Sequence, residues 1–243
     1  MDLERIRQKT AGMILQFSVP AIIAMVLTSL ITVVDGFFIG NYVGADGIAA
    51  VNLGLPVIYL FLSVGLMVSV GGVAIAGMSL GAGNIAECSQ VFRQTIATTI
   101  AFSVLTGVLV ALFFEPMLDI LGAAGQVRAY FKEYYSILLL ELIVMLVNSS
   151  FGMFIRGEGC PQYYMKVNIV SVLVNIVLDY VSVVVFHMGI AGIAAASFLS
   201  AMVSFALIMH FFLKRAKVYR LGRFCFSAAV LRRTLCNGSS EFI

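Results

Sequence analysis

Charge is what this sequence has least of. Asp, Glu, Lys and Arg make up 11% of its 243 residues, less than half of the ~25% that an ordinary soluble domain carries. That shortage excludes a soluble enzyme, a nucleic-acid-binding domain and a disordered protein, all of which need a charged, hydrated surface. Tryptophan is absent and histidine occurs twice. The four cysteines (Cys88, Cys160, Cys225 and Cys236) form no CxxC pair and no metal spacing with the histidines. A disulfide framework or zinc site is therefore not expected. A Walker motif and a soluble basic domain are also missing. What is abundant is apolar surface: 61% of residues are hydrophobic, and the mean hydropathy is +1.06.

A hydrocarbon core ~30 Å thick needs ~20 mostly apolar residues per spanning helix. Six such runs occur, at about 14–38, 51–80, 94–114, 130–154, 162–186 and 190–213. The second is long for one span and can tilt or extend beyond the core. Nothing alternates in the ten-residue units of a barrel, and helices are the other way to satisfy the backbone in lipid. The expected fold is an all-α membrane protein of six transmembrane helices over 1–213. The first run follows Arg5, Arg7 and Lys9 as a signal peptide would, but it is too long for one and ends in no A-x-A-like site. It reads as a retained span.

Orientation follows from the basic residues. With the N-terminus in the cytoplasm, the outer side holds only Arg128 and Lys132 of the 15 basic residues. Both termini are then cytoplasmic, as six spans require. The remaining segment, 214–243, is basic. Val218, Leu221, Phe224, Ala228, Leu231 and Leu235 recur there at spacings of three or four. That predicts an amphipathic helix lying on anionic lipid, compatible with a linker between membrane domains. After Asn237, apolar residues resume at Phe242, as at the start of a seventh span.

Acidic residues inside a span cost ~2.5–3.5 kcal/mol on insertion scales, so each is a functional candidate. There are three: Asp35, Glu141 and Asp179. Asn168, Ser171, Asn175, Asp179 and Ser182 lie three or four residues apart, a polar stripe at helical period. Such a stripe faces a partner helix or a watery cavity. Thr28 and Thr32 share a face with Asp35. Tyr130, Tyr134, Glu141 and Asn148 share a face of the fourth span, where the two tyrosines can equally be interfacial anchors. The first and fifth spans run the same way, which brings Asp35 and Asp179 to similar depth in the outer half. Two carboxyl groups in low dielectric can hold a proton or a small cation, the chemistry of ion-coupled transport. Pro20 removes one backbone bond inside the first span and can kink it.

Several of these residues sit in patterns that resemble the N-terminal half of a MATE (multidrug and toxic compound extrusion) transporter. The resemblance is carried in order by Phe17-Ser-Val-Pro20-Ala, Val34-Asp35-Gly36-Phe37-Phe38-Ile39-Gly40, Gly44-Ala45-Asp46, Arg156-Gly157-Glu158-Gly159, Asn175-Ile-Val-Leu-Asp179 and Gly189-Ile190-Ala-Gly192-Ile-Ala194-Ala195-Ala196-Ser197. It implies a six-helix N-lobe of a twelve-span antiporter that expels cationic or amphipathic organic compounds, driven by Na+ or H+, with no other cofactor. It implies a coupling site at Asp35, Tyr130, Asn175, Asp179 and Ser197, with Na+ held by Asp35, Asn175, Asp179 and Ser197. It also implies a cavity-lining role for Asn148 and a bend at Pro20. Glu141 joins the substrate cavity on its depth alone. The expected partners are organic cations, membrane lipid, and either a C-terminal lobe or a second copy of the chain; nucleic acid is not among them. The expected location is a bacterial inner membrane.

Three other readings stand beside this one. A lipid-linked saccharide flippase would line its cavity with basic residues, and no Lys or Arg lies mid-span. An intramembrane aspartyl protease would show YD and GxGD patterns, whereas the contexts here are Val-Asp35-Gly and Leu-Asp179-Tyr. A truncated lobe would be inactive without its other half.

Overall fold

The computed structural model describes residues 3–222 and 226–239, with side chains described for residues 12, 14 and 15 and from residue 17 onward. Nine α-helices are present among them: α1 (Leu3–Tyr42), α2 (Ala45–Leu53), α3 (Leu55–Gly81), α4 (Ile85–Leu112), α5 (Phe114–Ile120), α6 (Gly125–Gly157), α7 (Pro161–Tyr180), α8 (Gly189–Lys214) and α9 (Ala228–Gly238). Six stretches are long and apolar enough to cross a membrane: 17–42, 45–81, 85–112, 125–157, 161–185 and 189–214. These are the six expected spans, some with longer ends.

The second span is broken. Pro56 has no N–H to continue α2 into α3, and the chain turns at Gly54. Tyr135 of α6 holds that turn. Its hydroxyl donates to the Val51 carbonyl at 2.7 Å. A Cβ on Gly54 would lie 2.0 Å from the Tyr135 ring, so only glycine fits. Pro20 has no such effect: α1 runs through it as one helix. α4 starts on a reciprocal cap, with the Glu87 N–H donating to Asn84 Oδ1 and Asn84 Nδ2 donating to Glu87 Oε2, both at 3.1 Å. α7 ends in a π turn, Val181–Val185, before the chain reverses into α8.

Lipid tails are as apolar as leucine, so these helices associate through close packing and hydrogen bonds rather than hydrophobic burial. α6 packs against α3, α4 and α8, and α1 leans on α7 and α8. The turns after α3 and α6 and the segment after α8 share one end of the bundle, here the basic end. An aromatic cluster sits there, with Phe92 against Phe154, Phe212 and Tyr219 at ring-centroid distances of 4.9–5.5 Å. A second apolar cluster, built on Phe131, Tyr134, Tyr135, Ile190 and Ile193, fills the opposite end. α1 keeps Leu15, Ile22, Met25, Val26 and Val33 exposed on its other side.

Beyond Lys214, the helical period read across 218–235 is realised as helix only from Ala228 on. Residues 216–222 are non-helical, because distant side chains claim them. Tyr219 is buried against Phe92 and Phe154. A Glu158 oxygen accepts from the backbone N–H groups of Lys217 and Val218. Phe224 and residues 240–243, where apolar sequence resumes, lie outside the described residues. α9 runs along α3 so closely that a Cβ on Gly71 would meet the Thr234 carbonyl oxygen at 2.0 Å.

Candidate functional site: a carboxylate pair in the α1–α7–α8 seam

The polar stripe of α7 forms a seam with α1 and α8. Residues 168, 171, 175 and 179 recur on one face because three- and four-residue steps return to the same side of a helix. Near the basic end, the Thr28 hydroxyl of α1 lies 3.4 Å from Asn168 Oδ1. One turn on, the Ser171 hydroxyl donates to the Ser200 carbonyl of α8 at 3.4 Å. The next turn holds a relay through three helices. Asn175 Nδ2 donates to Ser197 Oγ at 3.3 Å, and the Ser197 hydroxyl donates to Asp35 Oδ2 at 3.1 Å. Serine is small enough to let α8 come this close to α7 while still bridging to α1.

The relay ends at Asp35 and bypasses Asp179, although the two carboxyl groups lie within interaction reach of each other. Asp179 is fully buried, and neither of its oxygens has a hydrogen-bond donor. Asp35 Oδ1 and Asn175 Oδ1 are likewise buried and unpartnered. Four oxygens thus converge without a donor among the described residues. An unpaired buried carboxylate is costly enough that some cation or proton must complete it. Four oxygens from carboxylates and an amide suit a hard monovalent cation or a proton equally. No group of three His, Cys, Asp or Glu is placed to hold a metal ion among the described residues.

The remaining candidates fall around this centre. Glu141, on α6, has a buried, unpartnered Oε2 and lies in the electrostatic field of Asp35 and Asp179. Tyr130 is half-buried beside the apolar cluster at the opposite end, and no side-chain hydrogen bond joins it to the pair among the described residues. Tyr134, one turn deeper, is 5% exposed and feels the charges of Asp35, Glu141 and Asp179. Its signal was present in the Tyr130–Asn148 stripe, but an aromatic near a span end also fits an interfacial anchor. Asn148 ties α6 to α8, its Nδ2 donating to the Ala201 carbonyl at 2.9 Å. Pro20 is buried in α1, fifteen residues before Asp35.

Outside the spans, acids are handled differently. Glu115 and Asp119 of α5 meet Arg128 of α6 at 2.7 and 2.5 Å, and Lys132 meets Glu115 at 2.5 Å. Lys132 and then Arg128 hold the Glu115 carboxyl below its usual range.

This arrangement can be set beside known proteins. The MatE family model matches residues 20–181, about two thirds of the chain and all of the seam up to Asp179. The chain belongs to the MatE family. It is 24% identical over 204 residues to the multidrug export protein MepA of Staphylococcus saprophyticus, covering 84% of this chain and 45% of that protein. It is 27% identical over 203 residues to the probable multidrug resistance protein YoeA of Bacillus subtilis, covering 82% and 44%. A MATE crystal structure in complex with MaD3S superposes with a TM-score of 0.88 at 24% identity, over 95% of this chain and 52% of that one. An outward-facing MATE transporter gives 0.86 at 23%, over 94% and 52%. At these identities the superpositions establish the fold, a MATE-type helical lobe in a multi-pass membrane protein. The chain spans about half the length of the curated relatives it matches.

Proposed function

We propose that this chain is the N-terminal lobe of a cation-coupled antiporter that exports cationic or amphipathic organic compounds across a bacterial inner membrane. The observation that carries the reading is the Asp35–Asp179 pair, around which four buried oxygens have no partner among the described residues, with no basic side chain mid-span. Asp35, Asn175, Asp179 and Ser197 would hold the coupling Na+ or H+. That ion is cargo, exchanged during each cycle. The name of MepA, a multidrug export protein, supports export as the process, and that of YoeA, a probable multidrug resistance protein, supports drugs as the cargo. The positive-inside rule sets the basic end in the cytoplasm. Alternating access needs two bundles that rock against each other; the second is a C-terminal lobe or another copy of this chain, meeting the exposed side of α1.

The test uses this chain in lipid nanodiscs, with ethidium as a fluorescent organic cation. Ethidium should bind, and Na+ or acid should displace it. Asp35→Asn and Asp179→Asn should each weaken that displacement at least about tenfold, the effect of one hydrogen bond to a charged group. Displacement unchanged in both variants would overturn the reading.

A further inference from the structure

We propose that Glu141 is a proton-holding residue of this protein, a third carboxylate separate from the Asp35–Asp179 pair and linked to it by charge alone. The inference rests on the reading of that pair as the coupling site.

Position comes first. Glu141 lies sixteen residues from either end of α6, about 24 Å along the helix from each. That is the middle of the span, where the Glu141 side chain is half-buried. Its Oε2 is buried and has no donor. Among the described residues no basic side chain pairs with it. α1 presents Asp35 and α7 presents Asp179, both of its own sign. Its own helix presents Tyr134, which is uncharged, and Tyr135, whose hydroxyl is committed to the Val51 carbonyl. On α8 the ionisable side chains are His210 and Lys214, at the basic end; on α4, Glu87, Cys88 and Arg93 are at that end too. α2 carries Asp46 near the opposite end. α3 carries Tyr59, an uncharged side chain level with Glu141, since Gly54 lies against Tyr135 and Gly65 against Leu146.

Glu141 also stands apart from the pair as a ligand. No hydrogen bond joins it to Asp35 or Asp179 among the described residues, and the three acids form no common metal-holding group. It therefore communicates through the low-dielectric interior rather than by sharing an ion. A buried carboxyl oxygen with neither a cation nor a donor beside it is completed by a proton. When the pair gains positive charge, the repulsion falls. The Glu141 O–H bond then breaks heterolytically, its electron pair stays on the carboxylate oxygen, and the proton passes to water. By reciprocity, protonating Glu141 favours the empty pair. One positive charge enters the seam as one proton leaves α6. The lobe thus trades cation for proton without accumulating charge.

Infrared spectroscopy of the chain in nanodiscs reads this directly through the acid C=O stretch. At neutral pH the wild type should show acid carboxyl intensity, and Glu141→Gln should remove one component completely. Glu141→Asp, which keeps a carboxyl group, should restore it. Asp35→Asn removes a like charge, so the acid-to-carboxylate ratio of the Glu141 component at fixed pH should fall about tenfold. A spectrum unchanged by Glu141→Gln overturns the proposal, and so does a Glu141 component that Asp35→Asn and Asp179→Asn leave unmoved. Ethidium displacement on Glu141→Gln separates the two ideas: displacement that still requires Asp35 keeps the pair as the coupling site even when Glu141 fails.

Discussion

Glu115 and Asp119 sit in water at the opposite end of the bundle, and each meets a basic side chain within 2.7 Å. Asp35, Glu141 and Asp179 sit in the membrane interior, each with at least one buried oxygen that has no donor. Charge pairing is thus present at Glu115 and Asp119, where it contributes least, since exposed ion pairs are screened and contribute little. It is missing where its absence costs most. A fold selected only for stability would do the reverse. The interior acids are better understood as half of an interaction whose other half is mobile.

The sharpest way to break this contrast is Asp179→Leu. It should abolish ion-dependent displacement of ethidium and also raise the thermal midpoint in nanodiscs, because a buried charge left without a partner costs ~3–5 kcal/mol. A lower midpoint would show that the carboxylate is satisfied within the fold. Next in size is Ser197→Ala, which removes the hydroxyl that donates to Asp35 Oδ2 and accepts from Asn175. A hydrogen bond to a charged group contributes ~1.5–3 kcal/mol, so cation affinity should change about tenfold, and Ser197→Thr should restore it. The smallest effect belongs to Glu115→Gln. Its carboxyl is held below the usual range, so any stabilisation is present above the ordinary glutamate range and lost as pH falls through the depressed value. The midpoint difference from wild type should be small at neutral pH and vanish in acid or high salt. A large effect there would put the surface network on the same footing as the buried pair.

The six spans were legible because a lipid-crossing helix announces itself by length and hydropathy. The α7 seam was legible because its polar residues keep a helical period. What stayed hidden depends on side chains far away in sequence. The break at Gly54 is held by Tyr135, far along the chain, and Pro56 alone does not identify it, since α1 runs straight through Pro20. The coil at 216–222 depends on Phe92, Phe154 and Glu158. Tyr134, which feels the charges of the three acids, shares the stripe with Tyr130, and the stripe alone does not say which ring lies nearer them. Asn148 likewise needs the position of the Ala201 carbonyl.

The continuity of α1 has a mechanical side. From Pro20 to Asp35 the helix is a rigid arm about 22 Å long. A bend of about 10° at its weakest point, where one backbone hydrogen bond is missing, would swing the far end by about 4 Å, more than the whole 3.1 Å reach from Ser197 to Asp35. That contact therefore works as a gauge of straightness: while it holds, the arm has not bent by that much.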